Sequence, residues 1–153
     1  MAHSILPTEL VFLDVATVNK QKNDVLQLIA KEIAAKTNLS AAQINQGLLA
    51  REALSTTGFG SGFAIPHTKS NINEGIVAFF RFTDEVEWQS LDEKPVKNAI
   101  TLIMPEKDND NMHLKMIAKL ARLLVHDDFI DELNQCQSKQ SVSDLLALKL
   151  KDM

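Results

Sequence analysis

A histidine closing a glycine-rich run is the group in this chain best suited to covalent chemistry. The run is Gly58-Phe59-Gly60-Ser61-Gly62-Phe63-Ala64-Ile65-Pro66-His67, and it holds three of the five glycines. Glycine at every second position suits a backbone with unusual dihedrals or one that approaches something closely. Pro66 fixes its own φ and keeps Ile65 extended. The run therefore predicts a loop feeding a short strand that ends on the His67 imidazole. Its spacing is neither a nucleotide P-loop nor a dinucleotide fingerprint, because the Lys-Ser/Thr pair and a properly spaced third glycine are missing.

Two further residues complete a possible site. His113 lies three residues before Met116 and four before Ile117, on the inward stripe of an expected helix. It is also in that helix's first turn, where free N–H groups and the helix dipole favour an anion. Arg51 sits in the last turn of an earlier helix and carries a planar fork of donors suited to phosphate. A neutral imidazole nitrogen can attack phosphorus to form a phosphohistidine. Phosphoryl transfer otherwise needs positioning and charge stabilisation. His67 is then the nucleophile, His113 and Arg51 the anion stabilisers, and Gly60 and Gly62 backbone donors of a phosphate loop. The residues alone leave plainer readings open. The glycine run also fits a simple turn before a buried strand, His113 a core histidine, and Arg51 a favourable charge at a helix C-terminus.

Other chemistries lack their residues. Zinc would need three or four ligands with close-spaced pairs, and no His-x-x-x-His or Cys pair occurs. The one cysteine, Cys136, lies in a polar stretch and reads as incidental. Phe59-Gly60-Ser61-Gly62 does not have the spacing of a serine hydrolase elbow.

The elements that must position these residues follow from apolar spacing. Residues 11–16 make a plausible first strand. An amphipathic helix spans 24–36, with Val25, Leu26, Leu28, Ile29, Ile33 and Ala34 on its stripe. Ser40-Ala41-Ala42-Gln43 is a capping-box pattern that opens a second helix ending near Leu54. Gly47 sits inside this helix at a cost of about 1 kcal/mol against alanine, which suggests a close packing neighbour. Residues 68–74 look like a polar turn. Residues 76–82 form a near-continuous apolar run suited to a strand covered on both faces. Residues 85–88 alternate like a half-exposed strand, and 99–104 make another buried strand stopped by Pro105. A polar loop over 106–111 offers N-cap candidates. Helices follow to about Val125, over a short piece capped by Asp127-Asp128, and over 141–149 with Ser141 and Asp144 in capping-box positions. This order predicts an α/β sandwich, a mixed central sheet flanked by helices on both faces, in a single domain spanning 1–153.

Composition narrows the partners. At 153 residues the chain can bury one core. Its net charge of −4, with 20 acidic against 16 basic residues, argues against a nucleic-acid binder. A signal peptide and a membrane-length apolar run are both missing, so the expected compartment is the cytoplasm, without membrane insertion.

The run Gly60-Ser61-Gly62-Phe63-Ala64-Ile65-Pro66-His67 resembles the active-site signature of the fructose/mannitol-type (type-2) enzyme IIA domains of the bacterial phosphoenolpyruvate-dependent sugar phosphotransferase system, or PTS. The resemblance extends to Arg51-Glu52 and Gly58 upstream and to His113-Leu114 downstream. It implies that His67 is phosphorylated by the histidine-containing phosphocarrier protein HPr and passes the phosphate to an enzyme IIB domain of a sugar permease. His113 and Arg51 would steady the phosphoryl group, and no metal or organic cofactor is implied. The implied fold is the same α/β sandwich. Thr68-Lys69 depart from the small residue common after the histidine. Phe59 and Phe63 are bulkier than the usual aliphatics and are expected in the core. A second role fits the same chemistry, a regulatory phosphoacceptor resembling the nitrogen-related enzyme IIA proteins.

Overall fold

The computed structural model of the chain describes residues 6–107 and 111–150. The first five residues of the opening segment, the middle of the expected polar loop over 106–111, and the last three residues of the expected 1–153 domain lie outside the described residues.

The core element is a six-stranded mixed sheet. Strand β1 (Val11–Val15) pairs in parallel with β5 (Ile76–Val86), and β5 pairs antiparallel with β6 (Val96–Pro105). On the far side of β6 lie β2 (Gly58–Gly60), β3 (Phe63–Ala64) and β4 (His67–Ser70). Asn98 to Met104 of β6 are buried at every position, which requires cover on both faces. That cover comes from α1 (Lys22–Lys36), α2 (Ala41–Leu54), α3 (Met112–Leu123), α4 (Asp127–Gln135) and α5 (Lys139–Leu150). The expected α/β architecture is the one observed.

Helix α1 buries Val25, Leu26, Ile29, Ala30 and Ile33, while Leu28 and Ala34 of its expected stripe are half-buried, as is Ile117 of α3. Ser40 caps α2 by accepting from the Gln43 N–H. Met116, Leu120 and Leu124 are buried from α3. Phe63 is fully buried and Phe59 partly so.

Several local expectations are corrected. Residues 68–70 are not a turn, because β4 continues through Ser70 as a parallel partner of β6. Backbone pairing decides here, since His-Thr-Lys-Ser offers no apolar alternation. The expected strand at 85–88 is the far end of β5, which stops at Val86 after an irregularity in its pairing with β6. Trp88 lies beyond the strand and is fully buried. Asp127 and Asp128 occupy the first turn of α4, and its N-cap is the exposed His126. Helix α5 starts two residues early. Its reciprocal bonds join Ser138 and Ser141, while Asp144 accepts from Gln140. Asn111 is the N-cap of α3 but adopts a left-handed conformation without a side-chain cap bond.

Two placements matter for the site. Strands β3 and β4 are one strand with an interruption. Phe63 and Ala64 face Asn98 and Ala99, and pairing resumes in the same register at His67 opposite Leu102. Only Ile65 and Pro66 drop out of the paired register, and the Pro66 carbonyl still accepts from the Leu102 N–H. Helix α2 runs alongside β4 in the opposite sense. Gln43 and Ile44 lie near Ser70, Gly47 near Thr68, and Arg51 near His67. A Cβ on Gly47 would fall 2.2 Å from the Thr68 hydroxyl oxygen, so the expected close neighbour of Gly47 is Thr68.

Candidate active site

Placed as the first residue of β4, His67 comes directly after the interruption in the strand. Its Nδ1 lies 2.8 Å from the Ile65 carbonyl oxygen. A carbonyl only accepts, so Nδ1 carries the proton and donates it. The Nε2 atom is then the unprotonated nitrogen, and it accepts a 3.0 Å hydrogen bond from the Arg51 Nε–H. The two bonds define the tautomer and the ring orientation together.

Arg51 reaches this position because α2 ends beside β4. The same guanidinium donates from Nη1 to the Ser55 carbonyl, over 2.8 Å, at the C-terminal end of the helix. The helix-end role and the histidine contact therefore belong to one side chain. Next to it on α2, Glu52 is buried. Its carboxylate accepts from the Thr57 N–H at 2.8 Å and from the Thr57 hydroxyl, and it pairs with Lys22 Nζ at 3.4 Å. Lys22 also donates to the Trp88 carbonyl, and the Trp88 indole N–H donates to the Thr57 hydroxyl.

A pocket of about 420 Å³ opens over His67. Arg51, Thr68, Lys69 and His113 line its polar side, and Met104, Leu114 and Ile117 its apolar side. His67 and Lys69 share a face of β4, being two residues apart. His113 is the second residue of α3, so the start of that helix borders the pocket. None of the described lining residues is acidic, and Arg51 and Lys69 are both cations. In a chain of net charge −4 this is an anion-seeking cavity.

Burial holds the His67 imidazole below its usual pKa, and the Arg51 and His113 charges push it the same way. The Ile65 carbonyl bond and Glu52 oppose the shift without reversing it. The result is a neutral ring near neutrality, whose unprotonated Nε2 is the form a nucleophile needs.

The structure brings His67, Arg51 and His113 together around one cavity. It does not bring Gly60 and Gly62 there. These glycines, with φ of +132° and +83°, make the turn between β2 and β3. The turn's Ser61 N–H donates to Asp92 over 2.9 Å, and the Gly62 carbonyl accepts from Lys97 and Asn98. The phosphate-loop expectation for Gly60 and Gly62 is corrected accordingly. Their positive φ serves the hairpin, and a carboxylate already holds its donor. Residues that sequence reasoning left without a role are Lys69, which lines the pocket, and Glu52 with its partners. For Lys69 the available signal was its i+2 position from His67. Lys22 and Glu52 lie 30 residues apart, and no local pattern links them.

Among the described residues, no three His, Cys, Asp or Glu side chains gather as a metal site would require. Among them, too, no helix is long and apolar enough to cross a membrane.

The comparisons with known proteins place the chain in a family. The model of the family described as phosphoenolpyruvate-dependent sugar phosphotransferase system, EIIA 2, matches residues 4–149. The fructose-specific EIIA component of the PTS of Haloferax volcanii is 32% identical over 145 residues, covering 94% of this chain and 93% of that protein. The fructose-specific EIIABC component of Mycoplasma pneumoniae is 34% identical over 148 residues, and the match takes up 21% of its length. The crystal structure of the nitrogen regulatory protein IIA-Ntr from Neisseria meningitidis superposes with a TM-score of 0.84 at 29% identity, covering 93% of this chain and 96% of that one. With a family match over nearly its whole length and a histidine set in an anion-seeking pocket, the chain belongs to the EIIA type-2 family of the phosphoenolpyruvate-dependent sugar phosphotransferase system.

Proposed function

We propose that the chain is a single-domain phosphocarrier that takes a phosphoryl group onto His67 Nε2 from phospho-HPr and passes it to an enzyme IIB domain. The observation that carries this reading is the division of labour on the ring, with Nδ1–H held by the Ile65 carbonyl and Nε2 turned to Arg51 in the pocket. In the first step the Nε2 lone pair forms a bond to phosphorus, and the bond from phosphorus to the donor's histidine breaks. The His67 ring becomes cationic because Nδ1 keeps its proton. In the second step the acceptor's nucleophile takes the phosphorus, and His67 leaves as a neutral imidazole. Arg51 exchanges its bond to Nε2 for the phosphoryl oxygens, and His113 donates to the same oxygens from the start of α3. No metal or organic cofactor enters either step. The work takes place in the cytoplasm, where donor and acceptor domains meet.

The test is phosphorylation by phosphoenolpyruvate, enzyme I and HPr, followed by intact mass beside a His67→Ala control. One acid-labile phosphate that disappears in the control is the expected result. No incorporation, with a known enzyme IIA working in parallel, overturns the reading.

A regulatory role is the second reading, favoured by the similarity to the nitrogen regulatory protein of Neisseria meningitidis. The chemistry at His67 would be the same, and the phosphorylated form would alter binding to a partner protein. Loss of growth on a single sugar after deletion of the gene favours transport. Unchanged growth on every sugar favours regulation.

A further inference from the structure

Two consecutive residues of α2 act on the two nitrogens of His67. Arg51 does so directly at Nε2. Glu52 does so at a distance, through hydrogen bonds that hold the backbone of Thr57 and Ile65. His67 Nδ1–H donates to the Ile65 carbonyl over 2.8 Å. The Ile65 N–H donates to the Thr57 carbonyl over 2.9 Å. The Thr57 N–H donates to the Glu52 carboxylate over 2.8 Å. Each bond fixes the stretch of backbone that the next one uses, so the main chain of Thr57 and Ile65 is held in place between the buried carboxylate and the imidazole. The Thr57 hydroxyl gives the carboxylate another donor, and Lys22 offsets its charge.

We propose that Glu52 is a positioning residue for phosphoryl transfer, fixing the tautomer and orientation of His67 through Thr57 and Ile65. The proposal rests on the phosphocarrier reading above. As the bond from Nε2 to phosphorus forms, positive charge develops on the ring and appears at Nδ1–H. Glu52 does not touch the ring, and its negative charge acts on that developing charge through space while its bonds to Thr57 hold the backbone that carries the Ile65 acceptor. Glu52 thus takes the part that a directly bonded carboxylate plays beside other reactive histidines. The charged groups that act on the His67 titration are Arg51 and Glu52 from α2 and His113 from α3, and Lys69 from β4 lines the same pocket.

The experiment uses the full chain. Ring ¹⁵N shifts of His67 report which nitrogen carries the proton, and initial rates of phosphorylation by phospho-HPr report transfer. Wild type is expected to hold the Nδ1–H tautomer. Glu52→Ala is expected to give a tautomer mixture and a rate about tenfold lower, the scale on which misplaced reacting groups lose rate. Glu52→Gln, combined with Lys22→Met to avoid a stranded cation, keeps an acceptor for Thr57 but removes the charge. It should retain the tautomer, move the His67 titration midpoint down and slow transfer less. A folded Glu52→Ala protein with the wild-type tautomer and rate overturns the proposal. Should that variant fail to fold, an unmoved midpoint and an unchanged rate in the glutamine variant overturn it instead. An Nε2–H tautomer in wild type overturns it without any variant. Absence of phosphate on wild type would remove the phosphocarrier reading and leave the tautomer results standing.

Discussion

The Arg51 Nε–H donates to His67 Nε2 across 3.0 Å, from the end of a helix to the start of a strand 16 residues later. In this arrangement the Nε2 lone pair is occupied by the cation that, on the proposed mechanism, later receives the phosphoryl oxygens. Arg51→Ala is expected to slow transfer about 100-fold, as loss of one aimed donor does at other charged transition states. Arg51→Lys should restore little of it, because an ammonium lacks the planar fork. Thermal melts should show both variants folded, and rates with phospho-HPr should carry the whole effect. A variant that simply melts would assign Arg51 to the helix end alone.

His113→Ala should leave the fold intact, since the residue is only half-buried at the start of α3. Loss of one hydrogen bond to the phosphoryl group corresponds to about a tenfold lower rate. Initial rates settle the matter, and an unchanged rate removes His113 from the site.

The lowered pKa of His67 has two consequences with acid. The ring stays neutral below the usual histidine range, so transfer should hold its rate as pH falls through about 6.5 and decline only at lower pH. Stability moves the other way. In that window the unfolded chain binds a proton that the folded chain refuses, so folding weakens as pH falls from about 6.5 towards the folded-state value. Titration of the His67 ring by NMR and denaturant melts at several pH values check both signs. A midpoint at or above the ordinary value contradicts both expectations.

Gly47→Ala adds a methyl where the Thr68 hydroxyl already lies 2.2 Å from the Cβ position. Overpacking costs about 1–3 kcal/mol, against a helix gain of about 1 kcal/mol. The net outcome is a loss of stability together with slower transfer, because Arg51 rides on the same helix one turn further on. Unfolding can be followed by the emission of Trp88, the single tryptophan, which is fully buried. Adding Thr68→Ala should recover part of both losses.

Asp92→Ala removes the carboxylate that holds the Ser61 N–H. Amide exchange at Ser61 should accelerate, while the transfer rate should stay within about twofold of wild type, a difference of only a few tenths of a kcal/mol. A large fall in rate would return the glycine turn to the chemistry.

What the chain discloses by itself depends on how local the cause is. His67 could be singled out because Pro66 and the glycines mark its backbone, and α1 and α3 because their stripes repeat within a few residues. Gly47 betrayed a close neighbour without naming Thr68. Strand β4 was hidden, since its reason for being extended is the neighbouring edge of β6 and not its own side chains. Gly60 and Gly62 announced a positive φ, but a positive φ does not say whether phosphate or Asp92 takes the donor. Glu52 drew notice only as the neighbour of Arg51 in the resemblance, because Thr57, Trp88 and Lys22 meet it only after the sheet and helices are assembled.

The two-residue gap between β3 and β4 bears on inheritance. Between Ala64 and His67 the register pairing with β6 is interrupted, the Pro66 carbonyl alone still accepting from the Leu102 N–H, and the Ile65 carbonyl turns to the imidazole. A main-chain oxygen belongs to every kind of residue. Point mutation at position 65 can alter packing but cannot delete the acceptor that sets the tautomer. Insertions and deletions between Thr57 and His67 are another matter, since they change which oxygen arrives. This part of the site should therefore tolerate drift in residue identity while holding its length constant.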